Sequence, residues 1–157
     1  MRFNPEIKLP QIKYSQSVFL VFLTIIAGFM LFSNLGNRYM WQDEAQTVLI
    51  AKTVTERGLP YGTDGVNFFS QSNGVEYGEN YLWKWHPWMQ FYITAPFIKF
   101  LGFNNFTARL PFALFALATV LLCYFFVKEL FNSTRKAVLA SVILALYVPF
   151  LIMGRMS

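Results

Sequence analysis

The sequence predicts an all-α integral membrane fold: three transmembrane helices, with a long exoplasmic first loop that carries two membrane-apposed helices. Three observations predict it. Of the 157 residues, 55% are hydrophobic and only 13% charged, where a soluble domain carries about 25% charged residues. Aromatic residues make up 19%, with eighteen Phe, eight Tyr and four Trp, side chains that concentrate where a surface meets lipid and its interface. Three apolar runs without a charge stand at 17–33, 110–126 and 137–153.

Residues 1–16 are polar, contain Pro5 and Pro10, and predict a short cytoplasmic tail. The first transmembrane helix is expected over 17–35. At about 1.5 Å per residue its apolar run just crosses a hydrocarbon core of roughly 30 Å if Leu35 and the flanks help. A cleaved signal peptide would have a shorter apolar core and a small-residue cleavage site. The segment "SNLGNRYMW" follows instead, which favours an uncleaved span.

An exoplasmic loop is expected over 36–107. Within it "DEAQTVLIAKTVTERG" predicts a helix over about 43–57, with Ala45, Val48, Leu49, Ile50, Ala51 and Val54 on one broad apolar side and Gly58 and Pro60 as its stop. Directly after a span, such a helix would lie along the membrane surface. A second helix is expected over about 87–101, beginning at Pro87, kinked or broken at Pro96 and ended near Gly102. The Gly-rich stretches "GLPYGTDG" and "QSNGVEYGEN" join the two. The second transmembrane helix follows over 108–128, a cytoplasmic loop over 129–136 and the third transmembrane helix over 137–153. Residues 154–157 read as the start of a further exoplasmic segment at which the chain is truncated.

Basic residues fix the orientation. The tail and the turn between the second and third spans carry Arg2, Lys8, Lys13, Lys128, Arg135 and Lys136 against Glu6 and Glu129. The long loop balances Arg38, Lys52, Arg57, Lys84, Lys99 and Arg109 against Asp43, Glu44, Glu56, Asp64, Glu76 and Glu79. Lys and Arg near span ends mark the cytoplasmic side. The expectation is a multi-pass protein of the plasma membrane, or of the endoplasmic reticulum membrane in a eukaryote, with a cytoplasmic N-terminus. The net charge of +5 is scattered, without a basic stripe or recognition motif, so nucleic acid is not an expected partner. Cys123 has no second cysteine to pair with and sits in "VLLCYFF" as a small hydrophobe, and the single His86 excludes a multi-His metal site.

Several residues carry two readings each. Asp43 stands where an N-cap belongs, with Gln46 three residues on as in a capping box; it is also placed to accept a proton at a membrane surface. His86, in "KWHPW", is either an interfacial ring or, with Lys84, a donor to a phosphate. Arg109 and Arg155 lie at exoplasmic span ends, where a snorkelling anchor is the simplest role. No Gly-rich phosphate loop, CxxC motif or Ser/His/Asp set is present.

The order of the pieces is more telling than any one of them. Asp43-Glu44-Ala45, His86-Pro87-Trp88-Met89, Ala108-Arg109-Leu110-Pro111 and the closing Gly154-Arg155-Met156-Ser157 follow one another across residues 17–157. This arrangement resembles the N-terminal part of the GT-C type polytopic glycosyltransferases, in particular the protein O-mannosyltransferases and the bacterial aminoarabinose transferases that act on lipid A. It departs from that pattern at Trp88, where a second proline is usual, and at Trp85, where some aminoarabinose transferases carry an acidic residue.

The resemblance implies sugar transfer from a polyprenyl phosphate donor to a lipid or protein hydroxyl, with inversion. Asp43 would be the base and Glu44 would orient the site or hold a hydroxyl or a divalent cation. His86 would face the donor phosphate, with Lys84, Arg109 and Arg155 as further cations, and Trp83, Trp85, Trp88 and Tyr92 would line the sugar or prenyl path. Members of the family are much longer, so the chain is expected to be an N-terminal fragment, inactive by itself. Two rivals belong to other classes. A non-enzymatic three-span scaffold or assembly subunit would use the acidic pair only as a cap. A transporter fragment would need intramembrane charges and broken-helix signals, which the spans lack.

Overall fold

A computed structural model describes residues 16–156; the tail expected over 1–16 lies outside them except for Gln16, as does Ser157. Helices follow in the order α1 (Gln16–Phe32), α2 (Gln42–Arg57), α3 (Met89–Leu101), α4 (Asn105–Phe131), α5 (Thr134–Leu146) and α6 (Val148–Met153). Among the described residues there is no β-strand; the 58–88 segment holds only isolated antiparallel bridges, Tyr61 with Leu82, Thr63 with Phe68 and Tyr77 with Trp83.

Among the described residues the 27-residue α4 is the helix long and apolar enough to cross a membrane, while α1 is apolar but has 17 residues. The Asn104 side chain caps α4 by accepting the Thr107 N–H at 2.9 Å, and Asn132 ends it in the left-handed region. α1, α3 and α5 all pack on α4. Lys128 near the end of α4 donates to the Gln16 side chain at the start of α1 (2.6 Å), so the two helices run antiparallel.

Small residues fill these contacts: Ala27, Ala113, Ala116, Ala137 and Ala145 are buried, while Phe22, Phe29, Phe115 and Phe126 point outward. Small inside and large outside is how helices pack in lipid, where no hydrophobic force draws one apolar helix to another. Water would tolerate so large an apolar outer surface poorly.

The third span expected over 137–153 is not one helix. α5 stops at Leu146, Tyr147 is extended, and α6 restarts with Pro149 in its first turn. Proline has no N–H to give the carbonyl four residues back, here that of Ala145, and its ring crowds that carbonyl.

Above the bundle, α2 lies on α3. Val48, Ile50, Ala51 and Val54 meet Phe91, Ala95 and Ile98, with Phe69 and Trp83 of the intervening loop completing this core. The apolar side of α2 that was expected on the membrane surface is therefore covered by protein. α3 does present apolar side chains outward, among them Met89, Phe100 and Leu101. It begins two residues later than expected and continues through Pro96 unbroken. α2 ends at Gly58, whose φ of 77° is open to glycine at little cost and whose N–H reaches the Val54 carbonyl at 2.9 Å.

Candidate functional site

Asp43 and Glu44 are neighbours with opposite surroundings. α2 begins at Gln42 with Trp41 in the N-cap position, so Asp43 is not the cap. Its expected capping partner, Gln46, instead donates to the Phe69 carbonyl at 2.7 Å. Asp43 sits exposed in the first turn of α2, where the helix dipole favours a negative charge. Its Oδ1 accepts a hydrogen bond from Gln71 Nε2 at 3.1 Å.

Glu44 is 2% exposed. It reaches back to accept the Trp41 N–H at 3.0 Å, one of the four donors a helix start leaves open. It also makes a two-pronged pair with Arg109: Nε donates to Oε1 at 2.9 Å and Nη2 to Oε2 at 2.7 Å. Arg109 Nη1 further donates to the carbonyls of Leu35 and Arg38, at 3.0 and 3.1 Å, and Nη2 to that of Tyr39 at 3.1 Å. A guanidinium has five N–H groups, and these bonds occupy them all. Arg109 thus turns inward rather than snorkelling to water. It ties the linker after α1 and the start of α2 to the first turns of α4.

A cavity of about 370 Å³ opens against this junction, lined by Arg38, Tyr39, Trp41, Glu44, Arg109 and Arg155 among others. Three arginines and one carboxylate line it, and only Arg109 is paired with that carboxylate among the bonds described above. Arg155 donates through Nη2 to the Ser33 carbonyl. Burial, then the positive charges of Arg38 and Arg109, push its pKa below the usual arginine value. An anion in the cavity would relieve that repulsion. In the sequence Arg38 stands out only as part of the loop's charge balance, five residues before Asp43.

The remaining candidates form a separate group. His86 is exposed, stacked on Trp83 at 6.2 Å and edge-on to Trp85 at 6.4 Å. Trp88 Nε1 donates to the Trp83 carbonyl at 2.7 Å, and the Tyr92 hydroxyl to the Gly58 carbonyl at 2.9 Å. Lys84 is exposed, and its backbone N–H bonds the Glu76 carbonyl at 2.9 Å. Trp83 itself is a core residue, 1% exposed. The structure brings Glu44, Arg109 and Arg155 to one cavity; Asp43, beside it on the first turn of α2, does not line it, and neither do Lys84, Trp85, His86, Trp88 and Tyr92.

A divalent cation at Glu44 does not fit. Both carboxylate oxygens are engaged by Arg109 and the Trp41 amide. Among the described residues, no group of three or more His, Cys, Asp or Glu is placed to hold a metal.

The loop that reaches Asp43 is organised by Glu76, which is 2% exposed. Its carboxylate accepts the Ser70 hydroxyl at 2.6 Å and the N–H groups of Gln71 and Ser72, each at 2.7 Å. Burial works to raise the Glu76 carboxyl, but the Ser70 hydroxyl and these amides together outweigh it and hold the pKa below its ordinary 4.5. A depressed folded-state pKa contributes stability that is present above the unfolded value and lost as pH falls through the folded one. The loop should therefore hold at neutral pH and loosen only below about pH 4.5. Hydrogen exchange at Gln71 and Ser72, followed against pH, should show protection falling there, and Glu76→Gln should lose it already at neutral pH.

Residues 85–157 match the family described as dolichyl-phosphate-mannose-protein mannosyltransferase. No curated protein and no solved structure matches the chain. The matched stretch contains His86-Pro87, Ala108-Arg109-Leu110-Pro111 and Gly154-Arg155, three of the elements that carry the sequence resemblance; Asp43 and Glu44 precede it. Over residues 85–157 the chain is thus similar to the mannosyltransferase family that the order of its motifs implied.

Proposed function

We propose that the chain is the N-terminal part of a membrane glycosyltransferase that moves a sugar from a polyprenyl phosphate donor to a lipid or protein hydroxyl, with inversion. One observation carries this reading: a cavity with three arginines and one buried carboxylate at the foot of the helix whose first turn exposes Asp43. An excess of fixed positive charge in a cavity suits a phosphate, and above all a phosphate that gains charge as it leaves. Arg109 is committed to Glu44 and to three carbonyls, so it shapes the wall. Arg38 and Arg155 are the groups that would meet the donor.

In the reaction the acceptor oxygen bonds to the anomeric carbon as the bond from that carbon to the phosphate oxygen breaks. The electron pair leaves with the phosphate, and Asp43 takes the hydroxyl proton. Glu44 acts through Arg109, by fixing the junction. His86, Lys84 and the Trp85–Trp88–Tyr92 face would guide the sugar or prenyl chain at the membrane surface. In this topology α1, α4 and the α5–α6 pair cross the membrane. The tail is cytoplasmic and the α2–α3 layer exoplasmic, in the plasma membrane or the endoplasmic reticulum.

Arg38→Gln and Arg155→Gln in the full-length protein should each raise KM for a polyprenyl phosphate sugar by roughly tenfold or more, as expected for a lost charge-assisted contact. An unchanged KM in both variants would remove this cavity from donor binding.

A further inference from the structure

We infer that Gln71 is a positioning residue for the Asp43 carboxylate, presented by a loop that is fastened to the same helix one turn further on. This rests on the proposed role of Asp43 as the base. A hydrogen bond between two exposed side chains ordinarily contributes little, because both ends are free to leave it for water. Here the backbone under Gln71 is held. Its own N–H and that of Ser72 end on the buried Glu76 carboxylate, and the Ser70 hydroxyl both donates to Glu76 and accepts the Gly74 N–H at 2.6 Å.

On the other side, the Phe69 carbonyl takes the Gln46 side-chain amide in a buried bond, and Phe69 is part of the α2–α3 core. Asp43 and Gln46 are three residues apart and share a face of α2. The loop runs along that face, Phe69 against Gln46 and Gln71 against Asp43. The amide therefore meets the carboxylate without further ordering of the chain.

The bond also divides the work of the two carboxylate oxygens. Oδ1 is engaged by Gln71 Nε2, which leaves Oδ2 to receive the acceptor's proton. A donor presented from an ordered backbone favours one plane of the carboxylate, and so one direction in which it can take that proton. A base held in its productive orientation needs no search for it once substrate is bound.

The test is steady-state transfer by the full-length protein in membranes, from a polyprenyl phosphate sugar, with thermal unfolding measured beside it. Gln71→Leu should lower kcat about tenfold with KM for the donor and the unfolding temperature unchanged. Gln71→Glu, which sets a like charge against Asp43, should lower kcat further although it preserves the side-chain length. A purely structural role predicts that kcat follows the unfolding temperature in both variants. Wild-type kcat in Gln71→Leu, with Asp43→Asn inactive, would overturn the role of Gln71 and leave the base in place. A harmless Asp43→Asn would overturn both.

Discussion

Glu44→Ala and Arg109→Ala should each destabilise the protein by about 3–5 kcal/mol, the usual result of leaving one charge of a buried pair without its partner. Each variant strands more than that one charge. Without Arg109, the carbonyls of Leu35 and Tyr39 lose their donor together with the Glu44 carboxylate, while that of Arg38 keeps only the Asn105 side-chain amide at 3.0 Å. Without Glu44, the guanidinium keeps only those carbonyls, and the Trp41 N–H loses its acceptor. Arg109→Lys should rescue little, since an ammonium has three donors and no planar fork for the carboxylate. Glu44→Leu combined with Arg109→Met should recover part of the loss, because an apolar pair is often as stable as a buried ion pair. Recovery should stay incomplete, since the Leu35 and Tyr39 carbonyls remain unserved. Thermal unfolding in detergent reads these differences, and single variants within 1 kcal/mol of wild type would mean that the pair does not hold the junction.

Asp43→Asn should do the opposite. It should leave the unfolding temperature unchanged and reduce sugar transfer by about 10²–10⁴-fold, the usual contribution of a positioned general base. Asparagine keeps the shape, and its carbonyl oxygen still accepts from Gln71, but it takes no proton at neutral pH. The residue is exposed and caps nothing, so the fold has little to lose. The two results together would separate stability from chemistry in two adjacent acidic residues, Glu44 carrying the first and Asp43 the second.

Much of the frame was legible in the sequence, and the reasons are local. The apolar runs mark α1 and α4, and Gly58 marks the end of α2. The α5–α6 break departs from the single third span expected over 137–153, although its cause, Pro149, stands inside that apolar run. The apolar side of α2 was visible in its periodicity, but periodicity does not say whether lipid or α3 covers it. The cap was misplaced because Trp41 has no side-chain acceptor to announce it. The sign to follow was Glu44, which as the third helical residue reaches back to the Trp41 N–H.

The site itself was half legible. Glu44 and Arg109 are 65 residues apart, and no spacing rule joins them; only the order of family-like motifs put both among the candidates. Arg38 lay outside those motifs and Gln71 inside a turn-rich loop, so neither stood out until the cavity and the Asp43 contact were in place.

The central claim is tested most directly by following a labelled sugar from polyprenyl phosphate to an acceptor hydroxyl in membranes that carry the full-length protein, wild type beside Asp43→Asn. Transfer by the wild type, lost in Asp43→Asn at equal expression and equal thermal stability, is the predicted result. No transfer by the wild type from any polyprenyl phosphate sugar, or equal transfer by the two proteins, would contradict it.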